Sequence, residues 1–293
     1  MTELSKESST FERTRSVRYL GLHMAHHASA SGYDQLGHVR SGEFLPISEN
    51  PGFLMRLVLR ALRSRITNCG NQWYNRSAMH TELSIMRRAL NERSEIVHFL
   101  YGENSFRFAG LPGIRARRRN NRLVATYHTP VHRLEALIRQ REHLKSLDAV
   151  ILMSNCQRPF FENLVPDERV HFVPHGINTD YFAPLDADEQ QRLKTQKQDS
   201  PPSFKCITVG HHLRDYEVLA EVAKRCSKEQ LNVEFLVVAW PDRVGPVANL
   251  PNVTCLTGIS DEELLNYYQT SDLLMLPLLD ATANNTLLEG MGC

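Results

Sequence analysis

No stretch of this 293-residue chain holds the roughly 18 consecutive apolar residues that a membrane-spanning helix needs; the nearest approach, Leu273 to Leu279, is interrupted by Pro277. The N-terminal segment MTELSKESSTFERTRS has acids and hydroxyls but no apolar core, so it is not a secretory signal and residues 1–16 read as a loose tail. Without such a signal, the Asn-x-Ser/Thr matches at Asn75, Asn252 and Asn284 carry no weight as glycosylation sites. There is no Cys-x-x-Cys pair. Cys69, Cys156, Cys206, Cys226, Cys255 and Cys293 are scattered, which argues against a disulfide framework or a zinc ribbon and for buried thiols in a reducing compartment. A cytoplasmic protein is expected. No repeat of solenoid period is present either.

What is there is an ordinary globular composition, 42% hydrophobic and 23% charged, on a chain long enough for two domains. The net charge of +1 conceals two opposite halves. Residues 1–150 hold 23 Lys and Arg against 13 Asp and Glu, whereas the remainder holds 11 against 20. One half therefore suits an anionic surface or acceptor, or the two halves dock on each other.

Short β-type runs alternate with helical patterns, which predicts an α/β protein with parallel sheets built from βαβ units. Strands are expected at Val17–Leu22, Ile96–Tyr101, Leu123–Tyr127, Ala149–Met153 and Val170–Val173, with helical spacing over Phe53–Ile66, Thr81–Asn91, Leu134–Leu147 and Gln157–Leu164. The polar stretch 184–203, ending in Pro-Pro, reads as a linker with one helical turn. A second series follows. Its strands are Phe204–Val209, Val233–Ala239, Val253–Leu256 and Leu273–Pro277; its helices are Arg214–Ser227, Ser260–Gln269 behind a Ser-Asp-Glu-Glu capping pattern, and one from Asn285 onward.

Several segments carry chemistry. Val173-Pro174-His175-Gly176-Ile177-Asn178-Thr179-Asp180-Tyr181-Phe182-Ala183-Pro184 follows a strand and precedes the linker. It resembles the Pro-Asn-Gly-Val-Asp-x-x-x-Phe-x-Pro segment of family-4 retaining glycosyltransferases, which have the GT-B fold. In that resemblance Gly176 permits a positive-φ turn at the mouth of an interdomain cleft and Phe182 packs the hinge; an ordinary surface turn is the alternative.

The run Ser271 to Pro277, then Asn284-Asn285-Thr286-Leu287-Leu288-Glu289-Gly290-Met291-Gly292-Cys293, is similar to the family's strand, loop and helix start that hold the nucleotide diphosphate and ribose. Free N–H groups and the helix dipole bind the diphosphate, which assigns Asn284, Asn285 and Thr286 to the donor. Glu289 matches the family's ribose-binding glutamate. The family's donor-sugar glutamate, eight residues earlier, is Ala281 here, with Asp280 beside it as the substitute. The alternative is a plain helix start.

Thr208-Val209-Gly210-His211-His212-Leu213-Arg214-Asp215 follows the first strand of the second half. Gly210 allows close backbone approach, and Arg214 offers a cation to a diphosphate leaving group. His211 stands where the family has Arg, and Tyr216 where it has Lys. A helix-surface role for Arg214 is the rival reading. Ala125-Thr126-Tyr127-His128-Thr129-Pro130 resembles the family's Thr-x-His segment, which implies that His128 points at the reaction centre. His128 and His132 also have metal-pair spacing, but no third ligand is apparent, and relatives generally work without a metal. Gly32, in the loop His26 to Leu36, corresponds to the first-domain donor loop, and Glu103 and Asn104 are expected to line the acceptor side, with a plain strand-end loop as the alternative.

Two arginine clusters remain, Arg56, Arg60, Arg63 and Arg65 on an apolar helix, and Arg115, Arg117, Arg118, Arg119 and Arg122. They suit anionic lipid headgroups or a charged acceptor, or are a solvated face and loop. No motif that reads nucleic acid accompanies them, so a nucleic-acid partner is not expected.

The resemblance covers most of residues 95–293 and, loosely, 17–94. It implies two facing Rossmann-like domains, 1–183 on the acceptor side and 204–293 on the donor side, joined by 184–203, with the second domain incomplete because the family's continues by at least one more βαβ unit. It further implies a nucleotide-sugar donor, a sugar, lipid-linked or other small acceptor, and transfer with retention, the leaving phosphate serving as base without cofactor or metal. A non-catalytic sugar-nucleotide-binding or scaffold protein is the other class; Ala281 and the missing Arg/Lys pair favour it.

Overall fold

The computed structural model describes residues 16–21, 30, 42–46, 52–91, 95–111, 121–198 and 203–293. Six strands, β1 (Ser16–Gly21), β2 (Gly42–Pro46), β3 (Glu95–Phe99), β4 (Arg122–Tyr127), β5 (Ala149–Leu152) and β6 (Val170–Phe172), form one parallel sheet in the order β2-β1-β3-β4-β5-β6. Its helices are α1 (Phe53–Ala61), α2 (Arg63–Thr67), α3 (Arg76–Asn91), the single turn α4 (Gly102–Ser105) and α5 (Val131–Leu137). The register pairs Val97 with Leu123 and Phe99 with Ala125, so alternate residues of neighbouring strands share one face. Together with Tyr127, Val150 and Leu152 they build the larger buried core. Near the sheet edge Arg18 bridges Glu43 and Glu95, both at 2.6 Å, tying β1 to each of its neighbours.

The second sheet holds β7 (Phe204–Val209), β8 (Val233–Val238), β9 (Val253–Leu256) and β10 (Leu273–Leu274), all parallel, in the order β10-β7-β8-β9. It is accompanied by α6 (Ala187–Gln198) in the connecting segment, α7 (Tyr216–Lys228), α8 (Asp261–Thr270) and α9 (Asn285–Gly292). The capping pattern before α8 is realised: the Ser260 hydroxyl accepts from the Glu263 N–H and the Glu263 carboxylate accepts from the Ser260 N–H.

Four expectations need correction. The helix over 53–66 divides at Leu62 into α1 and α2. The helix over 134–147 stops at Leu137, because a neighbouring segment takes its backbone groups: Gln72 donates to the Leu137 carbonyl (3.1 Å) and Arg139 donates to Gly70 (2.7 Å). Residues Glu142–Ser146 then form a 3₁₀ turn. The helix over 157–164 is a 3₁₀ segment, Asn155–Phe161, with Pro159 inside it removing a donor. The linker carries twelve helical residues in place of one turn, opened by Asp186, whose carboxylate accepts from the Glu189 N–H. β2 had no expectation attached to it.

The hinge residue Phe182 is 1% exposed and packs in a cluster with Ile207, Val209 and Tyr268 of the second half. Gln269 adds a hydrogen bond of 2.7 Å to the Ala183 carbonyl. Gly176, in contrast, does not have the positive φ expected of it, and a Cβ there would meet nothing within 4 Å.

Candidate active site

In open parallel sheets a ligand binds beyond the carboxyl ends of the strands, where the strand order reverses. In the second sheet this point lies between β7 and β10, since the chain moves to β8 and β9 on one side and returns to the other for β10. The sequence after β7 turns sharply there. Gly210 has a φ of +88°, and a Cβ on it would stand 3.2 Å from the Arg214 guanidinium. Leu213, with a φ of 57°, completes the reversal. Arg214 Nε then donates back to the Val209 carbonyl at 3.0 Å and Nη1 to His212 at 3.1 Å. Nη2 reaches the Asn284 side-chain oxygen and the Thr286 hydroxyl, each at 3.2 Å, at the start of α9. All four acceptors are neutral oxygens. Burial lowers the pKa of Arg214, opposed by Tyr216, Tyr268 and Glu289 nearby, but a guanidinium keeps its proton. A cation and a helix N-terminus thus converge at one point, an arrangement suited to an anion.

Glu289 lies one turn inside α9, buried, and its Oε2 accepts from the Tyr268 hydroxyl at 2.8 Å. Burial, then the charge of Glu289, pushes the Tyr268 phenol well up, so it remains a donor. His211, also expected at the donor, follows Gly210. Its ring stacks on Trp240 with centroids 4.2 Å apart, at the neighbouring strand end.

The first sheet reverses order between β1 and β3. The segment leaving β3 carries Tyr101 and Glu103; the segment leaving β4 carries His128. Glu103 Oε1 accepts from both the backbone N–H of His128 (3.0 Å) and its ring Nδ1 (3.2 Å), and Tyr101 stacks on the imidazole with centroids 4.7 Å apart. Glu103 is only 1% exposed. It was expected to line the acceptor side; its carboxylate is buried behind His128. Asn104 is half-buried, its N–H donated to the Tyr101 carbonyl.

The two strand-end regions meet. The Thr282 hydroxyl donates to the His128 carbonyl, His132 Nε2 lies 3.5 Å from the Asp280 carboxylate, and His175 hydrogen-bonds Asn285. Burial lowers the pKa of His175, its bond to Asn285 opposes the shift, and His128 adds to it. Gly210, Arg214, Asn284 and Thr286 are thus brought together in one half, while Asp280 and Asn285 face histidines of the other. Gly32 and Arg115, Arg117, Arg118 and Arg119 lie outside the described residues. Among the described residues no three His, Cys, Asp or Glu side chains form a metal-ligating group.

A family model, Glycosyltransferase Family 4, matches residues 59–181. The chain also superposes on a glycosyltransferase from Rickettsia africae ESF-5 with a TM-score of 0.56 at 17% identity, over 96% of this chain and 77% of that one. It has the GT-B glycosyltransferase fold. Further GT-B structures that it resembles are OtsA in its apo form (TM-score 0.67, 14% identity, 95% of this chain and 81% of that one) and Anabaena HepE in complex with UDP and glucose (TM-score 0.56, 10% identity, 96% and 79%). No curated protein matches the chain.

Three residues of this site were not among the expected ones: His175, Tyr268 and Thr282. His175 stood inside the hinge motif and could have been found there. The others had no signal, because a lone Tyr or Thr acquires its role only from what the fold sets beside it.

Proposed function

We propose that the protein is a glycosyltransferase that takes a hexosyl or related sugar from a nucleotide-sugar donor and transfers it with retention of configuration. The observation that carries this reading is the convergence of Arg214, Gly210 and the α9 N-terminus at the switch point of the second sheet. The donor diphosphate lies on these groups, and its charge is stabilised as the sugar–phosphate bond breaks. Glu289, steadied by Tyr268, takes the ribose hydroxyls. The sugar then extends towards His128 and Asp280, where the halves meet, and the leaving phosphate accepts the acceptor's proton. No metal enters this scheme. Residues 1–183 serve as the acceptor-side lobe, 204–293 as the donor lobe, and 184–203 joins them.

A peripheral membrane contact belongs to the same proposal. On α1, Met55 and Leu59 pack inward against the cluster around Ile66 and Tyr74. Phe53, Leu54, Leu57 and Val58 form a second apolar face that is exposed, from 45% at Val58 to 76% at Leu54, beside the exposed Arg56 and Arg60. Such a helix suits the surface of an anionic bilayer, where a lipid-linked acceptor would be found. Among the described residues no helix is long and apolar enough to cross a membrane.

The non-catalytic reading keeps the donor site and discards transfer. A panel of nucleoside diphosphates tests the shared part: a bound ligand at 100 times its Kd raises stability by about 2.7 kcal/mol. No thermal shift with any diphosphate rejects both readings. Binding without release of diphosphate from any nucleotide-sugar and acceptor pair leaves only the second.

A further inference from the structure

We infer that Glu103 is a positioning residue that fixes the tautomer of His128, making its Nε2 a hydrogen-bond acceptor and therefore a selector for a substrate hydroxyl that donates. This deepens the sugar-transfer reading and rests on it only for the identity of that hydroxyl.

A carboxylate oxygen cannot donate, so the contact of 3.2 Å between Glu103 Oε1 and His128 Nδ1 places the ring proton on Nδ1. In the neutral imidazole the other nitrogen is then an acceptor. The same Oε1 also takes the His128 backbone N–H at 3.0 Å, so a single atom fixes both the ring and the chain that carries it. Tyr101, stacked on the imidazole, restrains rotation about its other axis.

Glu103 is itself held in place. Asn71 Nδ2 donates to its carbonyl at 2.8 Å. The chain just beyond α4 is pinned by Glu82 on α3, which accepts from the N–H groups of Arg107 (2.7 Å), Phe108 (2.8 Å) and Ala109 (3.1 Å), and from the Tyr74 hydroxyl (2.5 Å). At 1% exposure Glu103 does not trade His128 for water. A buried carboxylate behind a histidine orients it as outer groups orient ligating histidines. The consequence is directional: a ligand group opposite Nε2 must bring its own proton, so a hydroxyl is accepted and an ether or fluorine at that position is not.

The test is the long-range nitrogen–proton correlation spectrum of protein labelled with ¹⁵N-histidine, at a pH where His128 is neutral, with His128→Gln to assign its signals. The wild type should give the Nδ1–H pattern. Glu103→Gln keeps an oxygen in place and should preserve it; Glu103→Leu fills the space without an acceptor and should release the ring towards the Nε2–H form. An Nε2–H pattern in the wild type overturns the inference even if the leucine variant fails to fold, as does an unchanged pattern in Glu103→Leu. In a transfer assay Glu103→Leu should lower kcat about 10- to 100-fold, and Glu103→Gln should restore most of it. Nucleoside-diphosphate affinity should stay within about twofold in both, since the diphosphate site is on the other sheet. Equal loss of kcat in the two variants would overturn the tautomer role. Failure to bind any diphosphate refutes the sugar-transfer reading, while the spectrum still decides the part played by Glu103.

Discussion

The Arg214 guanidinium lies 3.2 Å from the Thr286 hydroxyl, joining the turn after β7 to the first turn of α9 across 72 residues of sequence. Half-buried and hydrogen-bonded to four neutral oxygens, it keeps a full positive charge at a point where the dipole of α9 adds to the field. Positive potential of this kind requires an anion to be worth building.

Arg214→Ala should weaken nucleoside-diphosphate binding by roughly 1.5 to 3 kcal/mol, the range for a hydrogen bond to a charged group. Affinity for the unphosphorylated nucleoside should be nearly unchanged. Calorimetry on both ligands checks this, and an equal loss for the two would move Arg214 away from the phosphates.

Glu289→Gln should cost roughly 1 to 3 kcal/mol of the same affinity, because charge-assisted bonds to the ribose become neutral ones. A 2′,3′-dideoxy nucleotide should be insensitive to the change. Tyr268→Phe should act in the same direction through loss of the 2.8 Å bond that steadies the carboxylate. If deoxy and ribo ligands respond alike, Glu289 does not contact the ribose.

Vesicles containing anionic lipid should pull the protein down in co-sedimentation, and added salt should release it, given the exposed apolar face of α1 beside Arg56 and Arg60. Leu54→Ser combined with Leu57→Ser should abolish the binding while leaving diphosphate affinity intact. Equal recovery with neutral vesicles would return the arginines to a solvated surface.

Stability should fall as pH is lowered from about 6.5 towards 4, in part because of His98. Burial, assisted by His128, lowers its pKa to about 4 in the folded protein, whereas an unfolded histidine titrates near 6.5. In that window the unfolded chain binds the additional proton, so stability rises with pH, by at most about 1.4 kcal/mol per pH unit for this group. His143, lowered to about 3 by burial and by Arg107, acts in the same direction. Glu82, raised by burial, acts in the opposite one. Urea denaturation of the wild type and His98→Asn at pH 7 and pH 5 isolates the His98 contribution, since the other groups are common to both. Identical losses in the two proteins would show that His98 is protonated in the fold.

Much of the architecture was legible because the strands of parallel sheets are short β-type runs that punctuate helical spacing. Ala149–Leu152, Phe204–Val209 and Val253–Leu256 fall where such runs lie, and the capping pair Ser260 and Glu263 forms as local chemistry dictates. One element failed for a tertiary reason. The helical spacing of 134–147 is real, yet residues 70–72 take backbone groups at 137 and 139 and the helix ends there. The helix in the linker is a local event that a polar composition concealed, because α6 has no apolar stripe to reveal it.

The site divides in the same way. Sequence by itself determined the ingredients that are contiguous: a glycine able to take a φ of +88° after β7, an arginine four residues on, and Asn284 to Glu289 opening a helix behind β10. The tertiary structure alone decided which of them meet. Strand order put β10 beside β7, and so laid Arg214 on Asn284 and Thr286, 70 and 72 residues away. It set Glu103 behind His128 and stacked His211 on Trp240. A residue type fixes what a group can donate, accept or ionise, but a hydrogen bond acts over about 3 Å, and only the folded path of the chain brings groups that far apart in sequence within that reach.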